Sequence, residues 1–351
     1  MDAIKIQEQI DKNRKSVAFD SYDITIRQLY DMAVEGLIDV APEYQRHFIW
    51  DNARQSQLIE SILLGIPVPS LFMATNRDST WEVIDGLQRI TTIINFIGSE
   101  NVIHRNNPRC KKLKISELEK LSNINGLMFE DLPKSLQLMF MTRPMRVTVL
   151  NDRSDFGVRY DLFERLNTGG VTLHPQEIRN CVFLGKFNDF LKEMAINQAF
   201  KNVVKMTENQ IRTGSYEELV LKFFAYYQDR NLFIHGVKEF LNSYMEKKTK
   251  EFHDEKELKT IFQNTFECLQ ENLPDGIVRG NRKNTTPLVL FEAISIGVAD
   301  ALSRNVKVKS DALVALLDDK ELRNLTTGAT NSKSKLFRRI DFVTNALVDA
   351  I

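Results

Sequence analysis

The stretch WEVIDGLQRITTIINF, residues 81–96, changes its period in the middle. Residues 81–84 read as a short strand, whereas Ile90, Ile93, Ile94 and Ile97 recur three and four apart, the spacing of one helix face. Between them, Asp85-Gly86 marks an abrupt turn. A strand that empties through glycine into a helix aims backbone N–H groups and the positive end of the helix dipole at one spot, where an anion can sit. Arg89, one turn in, adds a planar fork of donors suited to phosphate. Asp85 stands at the entrance as a Mg²⁺ ligand or a base that orients water. The combination suggests nucleotide chemistry. Asp-Gly before a helix is equally an ordinary turn and cap, so the flanking sequence has to decide.

Upstream of this turn the chain alternates helices and short strands. A short helix opens the chain, a strand-like piece covers 17–22, and a helix over 25–35 carries Ile26, Leu29, Tyr30, Ala33 and Val34 on one face before Gly36. An extended piece at 38–40 leads to Pro42 and the cluster Tyr44, Gln45, Arg46, Phe48 and Trp50. Asp51 is placed to cap a helix running to residue 64, with Leu58, Ile59, Ile62 and Leu63 inward and Gly65 as its stop. Pro67 and Pro69 force an extended exit into a strand at 70–75, and Asn76-Arg77-Asp78 turns the chain into the strand before Asp85.

Downstream, the pattern loosens over 100–135. There Arg105, Arg109, Lys111, Lys112 and Lys114 fall together with no acid between them, a local basic patch. A solvated loop is the preferred reading over a nucleic-acid surface, because no aromatic stacking residues are interleaved. Residues 143–150 alternate as one more strand. Helical periodicity then governs 155–166, 175–196, 217–228, 237–247, 256–273, 287–302 and 335–351. This change of rhythm near residue 152 divides the chain into an α+β domain, 1–152, and an all-α domain, 153–351. Tyr216, Phe223, Phe224, Tyr226 and Tyr227 form an aromatic stripe that reads as core rather than as a base-stacking platform.

Composition narrows the function classes. Of 351 residues, 43% are hydrophobic, ample for a core, and Lys plus Arg equals Asp plus Glu at 47 each, so no global field draws the protein to nucleic acid. The cysteines Cys110, Cys181 and Cys268 lack Cys-x-x-Cys spacing, which argues against a disulfide framework or a structural zinc and fits a reducing cytoplasm. No apolar run approaches 18 residues, so neither a signal peptide nor a membrane span is expected. The five histidines show no metal-ligand spacing, although His47 follows Arg46.

Taken as one unit, Gly36, Pro42, Tyr44, Arg46, Trp50, Leu58-Ile59-Glu60-Ser61-Ile62, Gly65, Pro67, Pro69 and Ile84-Asp85-Gly86-Leu87-Gln88-Arg89 resemble the N-terminal domain family of the GmrSD modification-dependent restriction endonucleases, within the ParB/sulfiredoxin-like fold. A second block, Phe163-Glu164-Arg165-Leu166-Asn167-Thr168-Gly169-Gly170 followed by Leu173, Pro175, Glu177, Ile178 and Arg179, extends the resemblance over at least 25–185. In that block Pro175 and Glu177 read as N1 and N3 of a helix capped at His174. The family signature is Asp-Gly-Gln-Gln-Arg; this chain carries Leu87 at the third position, a residue that suits inward packing of the helix start. Sulfiredoxin has Gly-Cys-His-Arg at the same turn, and Gly86-Leu87-Gln88-Arg89 has no thiol, which excludes sulfinic acid reduction.

The resemblance implies a nucleoside triphosphate-binding and hydrolysing component of a restriction or phage-defence system. Arg46 and Arg89 would take the phosphates, Gly86 would admit the backbone, Asp85 would hold Mg²⁺ and Gln88 would orient the attacking water, with Arg165, Asn167 and Thr168 contributing to the pocket. The His-x-x-Pro motif of the family's HNH nuclease domain does not occur, so nuclease activity is expected on a separate partner chain, with DNA, modified or not, as the other partner. Two rivals stand: a DNA-binding adaptor of the same fold using the 105–114 patch, and a nuclease using Asp85 and Glu60 as metal ligands. Nothing in the sequence selects the base or the oligomeric state.

Overall fold

The computed structural model describes residues 3–13, 18–40, 48, 50–76, 78–151, 156–166, 173–280, 284–328 and 330–349. The chain divides into two compact units, Met1–Thr172 and Leu173–Ile351.

The first unit is α+β. After α1 (Ala3–Asn13) come β1 (Phe19–Thr25), α2 (Ile26–Val34), β2 (Ile38–Asp39), α3 (Asn52–Leu64), β3 (Leu71–Thr75), β4 (Trp81–Asp85), α4 (Leu87–Ile97), α5 (Glu100–Asn106), α6 (Lys134–Thr142), β5 (Pro144–Leu150) and α7 (Phe156–Leu166). The strands form one mixed sheet in the order β1-β5-β3-β4-β2. Strand β1 pairs antiparallel with β5, from Phe19 opposite Leu150 to Thr25 opposite Pro144, and β5 runs parallel to β3 with Leu71 opposite Val147. Strands β3 and β4 are antiparallel, with a register shift between Phe72 and Met73, and β2 lies parallel to β4.

Period-two alternation decides which face is buried. Met145, Val147 and Val149 of β5, Leu71 and Met73 of β3 and Val83 of β4 share a core with Ile26, Leu29, Leu58, Ile59, Ile62, Ile90, Ile93, Ile94 and Phe140 from α2, α3, α4 and α6. Helix α7 packs against β4. Local chemistry sets the helix ends. Thr25 and Gln28 exchange bonds of 3.2 Å and 2.9 Å at the start of α2. Asp51 Oδ1 accepts from Arg54 N at 2.8 Å to open α3, which Gly65 closes at φ 73°. The basic stretch is not one loop, since α5 occupies its first part, and α6 precedes β5.

The second unit is helical: α8 (Pro175–Val182), α9 (Lys186–Ala195), α10 (Gln198–Val203), α11 (Glu208–Arg212), α12 (Ser215–Asp229), α13 (Val237–Lys250), α14 (Glu255–Asn272), α15 (Leu288–Ser303), α16 (Ser310–Asp318), α17 (Lys320–Thr326) and α18 (Lys333–Val348). The single helix expected over 175–196 is two. Gly185, at φ 132°, turns the chain between α8 and α9, while Ile178, Val182, Phe187, Leu191 and Met194 keep a buried face on both sides of the break. That continuity of burial is why apolar periodicity could not reveal the turn. The aromatic stripe of α12 is core, as expected: Phe223 lies 5.5 Å from Phe262 and 5.5 Å from Phe266 between ring centroids. Helix α15 is buried nearly all round, from Leu290 to Ala301. No helix among the described residues is long and apolar enough to cross a membrane.

Candidate functional site

Strand β4 ends at Asp85, and α4 begins two residues later, so the whole change of direction falls on Gly86. Gly86 adopts φ 109°, a left-handed value, and its carbonyl accepts the first helical bond from Ile90 N at 2.9 Å. A Cβ at this position would lie 2.3 Å from Leu71 Cδ2, in a side chain that is fully buried, and 3.5 Å from Arg89 Nη2. Glycine is therefore required twice, by the dihedral and by the space. As the N-cap it brings no side chain to occupy the first-turn N–H groups of α4, which stay suited to an anion.

Arg89 and Asp85 come together as expected, one turn apart. Arg89 Nη2 donates to Asp85 Oδ2 at 2.8 Å; the arginine side chain is 11% exposed and the aspartate 40%. Arg89 Nη1 donates to the carbonyls of Pro69 and Ser70, the latter at 3.1 Å. The sequence holds a signal for these partners in Pro67 and Pro69, which keep this exit extended and its carbonyls free of helical bonding. Leu87 packs against the core of the first unit, which accounts for an apolar residue at that motif position. Gln88 is half-buried and accepts from Trp50 N at 3.2 Å. Gln55 Nε2 donates to Trp50 O at 3.2 Å, and Asn95 Nδ2 of α4 donates to Gln55 Oε1 at 3.2 Å. The start of α3 is thus hydrogen-bonded to α4.

Arg46, Asn167 and Thr168 lie outside the described residues, as does His47. Arg165 is exposed in the last turn of α7. His174 N donates to Glu177 Oε2 at 2.7 Å, the cap expected for the helix that opens with Pro175. Glu60, the second ligand of the nuclease alternative, spends Oε1 on Leu121 N at 2.9 Å. Among the described residues no three His, Cys, Asp or Glu side chains group as metal ligands. Mg²⁺ commonly takes one or two carboxylates and completes its shell with water and substrate phosphates, so the half-exposed Asp85 fits a phosphate-borne Mg²⁺ better than an all-protein cage.

The basic segment splits. Arg105, Arg109, Lys111 and Lys114 are exposed, whereas Lys112 turns inward, with Nζ 2.6 Å from Gly98 O and 2.5 Å from Glu130 Oε1. Elsewhere, a cavity of about 310 Å³ in the second unit is lined by Asp229, Ile234, Phe240, Tyr244 and Lys247 among others. Its ion pair, Lys247 to Asp229 at 2.7 Å, is internally matched. That unit also buries a charge cluster which sequence reasoning missed: Arg179, Glu218, Lys222, Glu292 and Arg339, contributed by four helices.

Residues 26–184 match the model of the family described as GmrSD restriction endonuclease, N-terminal domain. No curated protein and no solved structure matches the chain. The region 26–184, which holds four of the five strands of the mixed sheet and the Asp85-Gly86 turn, is similar to the GmrSD restriction endonuclease N-terminal domain family.

Proposed function

We propose that the protein binds a nucleoside triphosphate with Mg²⁺ at the start of α4 and hydrolyses it, as a cytoplasmic component of a modification-dependent restriction or phage-defence system. The observation that carries this reading is the Gly86 corner: an uncapped helix N-terminus with a half-exposed carboxylate, Asp85, at its mouth. The phosphates sit over the first turn of α4, Gly86 admits the close approach, and Arg46 with the charge of Arg89 balances them. Asp85 holds the phosphate-borne Mg²⁺. Gln88 orients a water that adds to the γ-phosphorus as the bond to the bridging oxygen breaks, releasing diphosphate nucleotide and inorganic phosphate. Arg165, Asn167 and Thr168 add contacts from the second block. Turnover gates a DNA-bound state or a partner nuclease.

The test is phosphate release by purified protein with each of the four ribonucleoside triphosphates and Mg²⁺, with and without DNA, beside Asp85→Ala. Release that depends on Asp85 is expected and identifies the base. Absence of saturable binding for all four triphosphates, in folded protein, would sink the proposal.

A second reading rests on the four exposed cations Arg105, Arg109, Lys111 and Lys114. It makes the chain a DNA-binding adaptor whose affinity falls with salt and ignores nucleotide. Charge reversal at Lys111 and Lys114 should then lower the slope of log affinity against log salt by about 1 per lost phosphate contact. An unchanged slope eliminates that surface.

A further inference from the structure

Strand β1, at the edge of the sheet, leaves part of its backbone open. Ala18 O accepts from Asn151 N at 2.9 Å and Ile26 N donates to Arg143 O at 3.0 Å, and both pairs keep the register of β1 against β5. The N–H and C=O of one residue point to the same side of a strand and those of its neighbours to the other. Residues 20, 22 and 24 therefore bond β5, while Phe19, Ser21 and Asp23 turn their backbone groups outward. Thr25, next in that series, is already engaged: its N–H goes to Gln28 Oε1 at 2.9 Å in the cap of α2. Among the described residues nothing takes the outward groups of Phe19, Ser21 and Asp23, and residues 19–23 are all exposed.

A bare edge is a template for another strand, and proteins blunt it with Pro, Lys, a bulge, a cover or a very short strand. The opposite edge is blunted in the last way, since β2 is only Ile38–Asp39. Strand β1 pairs over seven residues with no register shift and contains neither Pro nor Lys. Of its two acids, Asp23 is held by Arg146, through Nη2 to Oδ2 at 2.7 Å and Nε to Oδ1 at 2.9 Å. Phe19 and Tyr22 stand 60% and 42% exposed along it.

We infer that β1 is a dimerisation edge, pairing antiparallel with β1 of a second copy about a two-fold axis at Ser21. The outward residues select both the occupant and the register. They are symmetric about Ser21, so Phe19 meets Asp23 of the second copy, Ser21 meets Ser21 and Asp23 meets Phe19, each pair exchanging two N–H···O bonds. Two-fold registers centred on Asp20 or Asp23 set like charges directly opposite, and the one centred on Tyr22 calls on the Thr25 N–H that Gln28 already holds. At the Ser21 register the Phe19 ring lies opposite the Asp23 and Arg146 pair of the second copy, where a guanidinium suits an aromatic face, and Tyr22 lies opposite Asp20. With Lys plus Arg equal to Asp plus Glu at 47 each, no net charge drives two copies apart. Two five-stranded sheets then become one continuous sheet. The pairing is independent of the nucleotide reading.

The test is sedimentation velocity of the full chain from roughly 1 to 100 μM, the range of a modest interface, beside cysteine cross-linking. Wild type is expected to pass from monomer to dimer within that range. Ser21→Pro removes the central outward donor of each copy and leaves the bonds to β5 alone, as a proline on an edge strand does. It should raise the dimer Kd about 10-fold or more with an unchanged far-UV circular dichroism spectrum. Phe19→Asp sets an acid opposite Asp23 of the second copy and should weaken the dimer likewise, which keeps the test if the proline variant does not fold. The register has its own readout. Ser21→Cys brings two thiols together at a Cα separation of about 5.5 Å, inside the range a disulfide bridges, so mild oxidation gives a covalent dimer. Phe19→Cys, with its two copies four residues out of register and roughly 13 Å or more apart, gives none. Wild type that stays monomeric at the top of the range overturns the inference. So does a dimer whose Kd neither Ser21→Pro nor Phe19→Asp changes, or one that cross-links through Phe19→Cys and not through Ser21→Cys.

Discussion

Replacing Glu292 by leucine tests the buried charge cluster of the helical unit. Glu292 is 5% exposed; its Oε2 accepts from Arg339 Nη2 at 2.6 Å, and its Oε1 lies 3.7 Å from Lys222 Nζ. Lys222 also reaches Glu218 at 3.1 Å, and Glu218 reaches Arg179 at 3.3 Å. Three cations thus face two carboxylates in the interior. Glu292→Leu leaves them facing one, with Arg339 at 2% exposure and no anionic partner within the cluster. Breaking a buried pair by removing one side costs about 3–5 kcal/mol, because the stranded charge keeps its desolvation penalty. For a unit of this size that is a fall in Tm of roughly 6–20 °C, at about 2–4 °C per kcal/mol. Adding Arg339→Leu removes the stranded charge, so the double variant should recover about 2 kcal/mol of the loss in a mutant cycle. Recovery stays incomplete, since Arg339 Nη1 also donates to Thr330 O at 2.9 Å. Calorimetric and far-UV circular dichroism melts at pH 7 check both figures. A Glu292→Leu loss below about 1 kcal/mol, or a double variant no more stable than the single, refutes the argument that these charges depend on one another.

The Gly86 corner makes its own forecast. Gly86→Ala meets both a left-handed dihedral and the fully buried Leu71 side chain, and should lower stability by about 2 kcal/mol in urea melts; an unchanged midpoint contradicts the geometry. Burial pushes the Glu218 carboxyl upward, but the Lys222 and Arg179 charges outweigh it and hold the group below its ordinary value of 4.5. A carboxylate depressed in the folded state stabilises fully above its unfolded pKa, and that contribution is lost as pH falls through the folded value. The stability gap between wild type and Glu218→Gln should therefore be constant near neutrality and close below about pH 4; a gap that widens in acid reverses the sign and overturns the argument. Burial raises the Cys110 and Cys268 thiols, so native protein at pH 7.5 should react slowly with a disulfide reagent and quickly once denatured. Immediate stoichiometric reaction in the native state would contradict that burial.

Much of the architecture was legible because it is local. Asp51 and Gly65 bound α3 through partners within four residues, the alternation of residues 144–150 defines β5, and the dihedral at Gly86 follows from a strand and a helix meeting across one residue. The break at Gly185 was hidden by the same logic, because a helical face continues through it. The basic patch shows the limit from the other side. Five cations adjacent in sequence read as one surface, yet Lys112 is drawn inward by Gly98 and Glu130, fourteen and eighteen residues away.

By itself, then, the sequence determined where most strands and the long helices lie, that the first unit is α+β and the second helical, and that Asp85, Gly86, Gln88 and Arg89 meet at one turn. Each of those properties is set by side chains a few positions apart. Only the tertiary structure decided what those residues are bonded to: Arg89 to the carbonyls of Pro69 and Ser70, Gln88 to Trp50, Glu60 to Leu121, and Arg179, Glu218, Lys222, Glu292 and Arg339 to one another across four helices. The physical reason is that a buried polar group takes whatever partner the packed chain delivers within hydrogen-bond reach, and packing brings together positions that no local spacing relates.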